Sequence, residues 1–232
     1  MKKIVRRIIG KICHLFHVNV AKLFINRGKV LMLHWVGDEP LDDENEPFRI
    51  SVAQCRKMLL WLQGNNVIRL EDWEHSKDFY ALTIDDVPES FYHNAFPLLK
   101  KYDIPFTIFV NTTLLDTPGF VTTSQLIEMS QCELCTVGSH GVSHECFTSF
   151  DDTQAIADLQ CSKEKLEGLI GKTVILYAFP YGSYYACGYM RKHLVNKFYR
   201  YGFGTVQTSI TQPLIFKKYF LPRINITETT KF

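Results

Sequence analysis

Net charge is the first thing this chain lacks: 26 lysines and arginines against 24 acidic residues leave only +2 over 232 residues. A nucleic-acid partner calls for a basic excess or basic face, so no nucleic acid is expected, and bulk charge does not select the substrate. Regular cysteine spacing is missing too. Cys13, Cys55, Cys132, Cys135, Cys146, Cys161 and Cys187 form an odd set with no disulfide-framework pattern, which points to a reducing compartment. Cys132 and Cys135 make a C-x-x-C, but no second pair completes a four-cysteine zinc site, and both read as buried or incidental thiols. Internal repeats, low-complexity tracts and Pro/Gly/Ser linkers are absent, so nothing cuts the body in two.

A continuous apolar run is absent as well. "MKKIVRRIIGKICHLFHVNVAKLF" is basic and apolar, yet Lys11, His14, His17 and Lys22 interrupt it, so it suits neither a cleavable export signal nor a membrane span. Its pattern fits a basic amphipathic helix, packed on the protein's own body or laid on an anionic membrane through residues 1–24. The expected division is an amphipathic segment, residues 1–28, and one domain, residues 29–232, in the cytoplasm, where the segment could meet the inner face of the membrane. Oligomeric state leaves no mark on the sequence.

What is present is alternation. "KVLMLHW" (29–35), "NVIRL", "FYALTID" (79–85), "IPFTIFV" (104–110), "LCTVGS", "TVILYAF" (173–179), "YGFGTV" and "YFLPRINI" read as strands. Between them run helical stretches: one from Ser51 to Gly64, then "ESFYHNAFPLLKKY", "TTSQLIEMSQ", "DTQAIADLQCSKEKLEGLIG" and "YMRKHLVNKFY". The predicted fold is an irregular (β/α) barrel of seven or eight mostly parallel strands, with a doubly wound open sheet as the alternative.

In either fold, chemistry gathers at the carboxyl ends of strands. Asp85 and Asp86 stand there in "LTIDDVPES", as do His34, His140 and Tyr181. Neighbouring residues on a strand face opposite sides, so both aspartates can serve one site only where the strand stops. "SHGVSH" spaces His140 and His144 four apart, close enough to hold one cation. Two histidines and an aspartate with open positions form the donor set of a catalytic divalent-metal site. One aspartate can then bind the ion while the other accepts a proton.

"LTIDDVPES", "GSHGVSHECF" and "YAFPYGSY", in that order, resemble the first three motifs of the polysaccharide deacetylases, carbohydrate esterase family four. "NAFPLLKKYDIPFTIFV" is similar to the helix and strand after the first motif, and the likeness covers roughly residues 29–226. It implies that 29–232 is a deacetylase-like catalytic domain with Asp85 as catalytic base. Asp86, His140 and His144 would be ligands to one divalent ion, most simply zinc, with cobalt, nickel or manganese open. The Tyr181 N–H would be an oxyanion donor. Three departures stand out. Val87 replaces the usual Gly, which could narrow access for substrate. The Arg that often precedes Pro-Tyr is missing, leaving Arg223 as a candidate orienter of Asp85 or a surface ion-pair partner. The C-terminal Leu-x-His motif is also missing; "LMLHW" resembles the N-terminal His motif of a subgroup acting on biofilm poly-N-acetylglucosamine, which makes His34 the candidate acid, with a core histidine as the alternative.

The implied activity is metal-dependent removal of acetyl from an N-acetylated sugar by C–N hydrolysis. An O-deacetylase or an inactive carbohydrate-binding protein on the same fold are the alternatives.

Overall fold

The computed structural model describes residues 26–188, 192–211 and 218–232. The amphipathic segment expected over residues 1–28 therefore lies, through residue 25, outside the described residues. No described helix is long and apolar enough to cross a membrane.

The centre is a curled, mostly parallel sheet, a half-barrel with the order β10-β1-β4-β5-β6-β7-β8. The strands are β1 (Asn26–Leu33), β4 (Phe79–Asp85), β5 (Phe106–Val110), β6 (Cys135–Ser139), β7 (Leu176–Ala178), β8 (Tyr201–Phe203) and β10 (Ile224–Asn225). A short β9 (Ile210–Thr211) adds antiparallel to β1, and β2 (Trp35–Val36) pairs with β3 (Arg49–Ile50) outside the main sheet. Strands covered on both faces are apolar almost throughout, as in "FYALTID".

Helices pack outside. Helix α1 (Val52–Gln63) is capped by the Ser51 hydroxyl, which accepts from the Gln54 N–H. Helices α4 (Thr123–Gln131) and α5 (Asp152–Ile170) both open on capping boxes, Thr122 with Gln125 and Asp151 with Gln154. The single helix expected over "ESFYHNAFPLLKKY" is two, α2 (Glu89–Asn94) and α3 (Phe96–Tyr102). Pro97 carries no N–H and sits in the first turn of α3, so the chain restarts there rather than continuing. "NVIRL" keeps one bridge, Val67 to Tyr80, and runs into a 3-10 turn, Leu70–His75. The expected last strand shrinks to β10, and of "YMRKHLVNKFY" the described part is a 3-10 turn, Lys192–Lys197.

Two apolar layers follow from strand alternation. Leu82 and Ile84 of β4 face the helices, whereas Phe79 and Ala81 join Trp73, Phe109 and Tyr201 inside the curl. The inner face of β4 thus reads Phe79, Ala81, Thr83, Asp85: apolar at the amino end, polar at the carboxyl end. The edges of the sheet meet through the segment before β10. Leu221 bridges to Phe203 of β8, and two residues after Arg223, Asn225 stands opposite Met32 of β1.

Candidate metal centre and active site

Asp85 ends β4 on its inner face. Asp86 follows it with φ at 59°, a left-handed turn that swings the second carboxylate back toward the same site. This resolves how two adjacent acids serve one place. Val87 continues the turn at φ 55°, unusual for a β-branched residue and worth about 1–3 kcal/mol of local strain. Its side chain does not narrow access, contrary to expectation: Val87 is fully buried in the outer apolar cluster and lines none of the cavity. The turn conformation explains why Gly suits this position, and core packing explains how Val holds it.

His140 leaves the end of β6 with its N–H donating to Val110 O at 2.9 Å and its Nδ1 2.8 Å from Ala178 O. Donation from Nδ1 leaves the Nε2 lone pair free for an ion. Asp158 of α5 accepts from the Val142 N–H at 3.0 Å and shapes the loop carrying His144. Gly141 has φ at 80°, and a Cβ there would come within 2.8 Å of Asp158 Oδ2. Sequence patterns did not single out Asp158; its partner lies 16 residues away with no motif between them.

Asp86, His140 and His144 each offer one ligand atom, all within 4.8 Å of one another. Asp86 Oδ1 lies 3.8 Å from His140 Nε2 and 3.5 Å from His144 Nε2, and it is buried without any hydrogen-bond partner. An orphaned carboxylate oxygen facing two imidazole nitrogens across ion-sized gaps fits a divalent transition metal.

Arg223 proves to be a buried partner of Asp85. Its guanidinium forks onto both carboxylate oxygens, at 2.5 and 2.7 Å, with Arg223 0% and Asp85 2% exposed, and its Nε donates to Gly204 O. The alternative of a surface ion pair is thereby overturned. Burial pushes the Asp85 carboxyl up, but the Arg223 charge, then His140 and the Arg223 hydrogen bonds, outweigh it and leave it at about 2. Asp86 behaves oppositely. Burial first, opposed by His140 and reinforced by Asp85, raises it to about 6. Burial lowers both His140 and His144.

From these directions a pH dependence follows. Below about 6 the Asp86 carboxyl holds a proton that a metal must displace. Affinity for zinc should fall by about tenfold or more for each pH unit below that point and depend less steeply on pH just above it. Calorimetry in buffers of different ionisation enthalpy should detect about one more proton released per metal bound near pH 5 than near pH 7; equal release at both would contradict the assignment.

The centre floors a cavity of about 590 Å³. His34, just past β1, lines it, with Nδ1 buried and unpartnered and its ring 5.0 Å from Phe48. Burial lowers its pKa to about 4, against the pull of Asp85. His34 is therefore neutral at neutral pH. Tyr181 lines the same cavity at φ 60°, its ring 5.0 Å from that of His144 and 60% exposed. Among the described residues its backbone N–H has no acceptor.

A poly-β-1,6-N-acetyl-D-glucosamine N-deacetylase of Staphylococcus aureus is 24% identical over 210 residues, covering 80% of this chain and 70% of that protein. YxkH of Bacillus subtilis is 22% identical over 165 residues, and the chain spans 57% of its length. A Bacillus cereus polysaccharide deacetylase superposes with a TM-score of 0.79 at 23% identity, covering 88% of this chain and 66% of that one. The Streptococcus pyogenes deacetylase PplD, solved in complex with acetate, superposes with a TM-score of 0.75 at 22% identity, covering 88% and 93%. These superpositions show a shared fold. The family described as polysaccharide deacetylase matches residues 73–194, more than half of the chain, and its span holds Asp85, Asp86, His140, His144 and Tyr181, so the chain belongs to the polysaccharide deacetylases.

Proposed function

We infer that the protein is a metal-dependent N-deacetylase of an N-acetylated polysaccharide or glycoconjugate. The observation that carries this is the Asp86–His140–His144 donor set beside a buried carboxylate held by arginine, on the floor of one cavity. Zinc suits the mixed oxygen and nitrogen donors, and cobalt, nickel or manganese share that preference. The Staphylococcus aureus relative named above supports an N-acetylhexosamine as substrate.

A bound divalent ion supplies Lewis acidity toward the acetyl carbonyl and the attacking water. Asp85, ionised through neutral pH by Arg223, accepts the proton of that water. The Tyr181 N–H donates to the developing oxyanion. His34 starts neutral, so it takes over the water's proton from Asp85 and passes it to the departing nitrogen, leaving Asp85 ionised and His34 neutral as acetate and amine depart. Residues 29–232 form the catalytic domain, and residues 1–24 provide peripheral membrane contact from the cytoplasmic side.

Acetate release from N-acetylglucosamine oligomers, with zinc, cobalt, nickel or manganese added, tests the function; no release with any metal would sink it. In the same assay His34→Asn should lose amide hydrolysis by about 10²-fold while an activated ester, whose leaving group needs no proton, loses far less. Equal losses on both would remove His34 from the acid role.

A further inference from the structure

The two histidines of the candidate metal centre are held in different ways. The ring of His140 has a direct partner, because its Nδ1 meets Ala178 O, and a ligating imidazole ordinarily takes such an outer hydrogen bond to fix its tautomer and direction. His144 has no such bond among the described residues. Its Nε2 faces Asp86, its ring lies beside those of His140 and Tyr181, and its side chain is 30% exposed. The aim of this ring therefore comes from its main chain, which stands at φ 56°, a left-handed turn that a residue other than glycine keeps where its surroundings hold it.

The residues leading into that turn converge on Asp158. Besides the Val142 N–H, Asp158 Oδ1 has the Ser143 N–H at 3.4 Å and the Ser143 hydroxyl at 3.5 Å. The Thr112 N–H and the Thr113 hydroxyl hold the carbonyl oxygens of Gly141 and Val142, so among the described residues Asp158 is the acceptor that holds the N–H side of the loop. Two features make room for it. Asp is a weaker helix former than Ala, yet Asp158 stands inside the 19-residue α5, where only a tertiary contact repays its presence. Gly141 lacks the Cβ that would press on Asp158 Oδ2.

We propose that Asp158 is the positioning residue for His144: by fixing the main chain of residues 142 and 143 it aims the second imidazole at the ion, and the metal affinity of the centre depends on it. The groups it holds are neutral N–H and O–H donors, so the role requires an acceptor oxygen in that place and not a charge. The proposal deepens the function inferred above and rests on its metal centre.

Zinc affinity of the full chain is measured by competition with a chromophoric chelator, and the ligand field by the visible spectrum of the cobalt-loaded protein, both below the melting temperature. Asp158→Ala should weaken zinc binding by about 10–100-fold, the usual effect of losing an outer partner, and alter the cobalt spectrum. Asp158→Asn keeps an acceptor oxygen and should stay within about threefold of the parent, with the parent's spectrum. Because Asp158 acts through His144, Asp158→Ala should add less than about threefold once His144 is itself Ala. Should Asp158→Ala fail to fold, Asp158→Ser, too short to reach the loop, takes its place. A merely structural role lowers the melting temperature and leaves zinc affinity and spectrum in place, which overturns the proposal, as does an equal loss in the His144→Ala background. A parent that binds neither zinc nor cobalt defeats the metal centre and the proposal with it, whereas a zinc-binding parent with unchanged affinity in Asp158→Ala defeats the proposal alone.

Discussion

Asp85→Asn should retain a full equivalent of metal and lose turnover by about 10³-fold or more, because an amide cannot accept a proton at neutral pH. The buried setting adds a second consequence. Arg223 is fully buried and forks onto both oxygens of Asp85, so the substitution leaves a guanidinium without its anion. Breaking one side of a buried ion pair costs about 3–5 kcal/mol, and the variant should melt well below the parent. The double variant Asp85→Asn/Arg223→Met removes both charges and should recover much of that stability while turnover stays absent. The pH profile of stability carries the same sign. The Asp85 carboxyl is depressed from 3.8 to about 2, so its contribution is present above its ordinary value and is lost as pH falls through about 2. Melting curves, metal content and acetate release together check this set. Substantial turnover in metal-replete Asp85→Asn would place the base elsewhere.

His140→Ala should lose both metal and activity. The side chain is 2% exposed and aims Nε2 at the two carboxylates, 3.9 Å from Asp85 and 3.8 Å from Asp86. Removing an inner ligand should weaken the metal by more than the roughly 10–100-fold that loss of an outer partner costs. Ala also strips Ala178 O of its imidazole donor, so metal-free stability should fall by about 1–3 kcal/mol. Metal content after dialysis decides the matter, and a variant that keeps one tightly bound equivalent would show the ligand set to be wrong.

Much of this protein is written in local patterns. Alternation, capping residues and turn formers placed β4, α1, α4 and α5 within a residue or two, because the signals for a strand end or a helix cap act over three or four positions. The same locality made the site partly readable. Asp85, Asp86, His140 and Tyr181 sit at or just past strand ends, and a mostly parallel sheet turns all such ends toward one rim. Local patterns misjudged the elements whose form depends on distant support. "NVIRL" had a strand's composition but only one bridge to Tyr80, and "YFLPRINI" was spent on closing the sheet rather than on forming a full strand.

What only the tertiary structure decided is who meets whom across the curl. Asp85 and Arg223 are 138 residues apart, and nothing near "LPRINI" distinguishes a buried guanidinium from an exposed one. Asp158 holding the His144 loop and Val87 turning its side chain into the core are decisions of the same kind. A strand's own sequence determines which residue stands at its end and on which face. Partners on other strands depend on how the sheet curls and closes, and that is set by packing of the whole inner and outer layers at once.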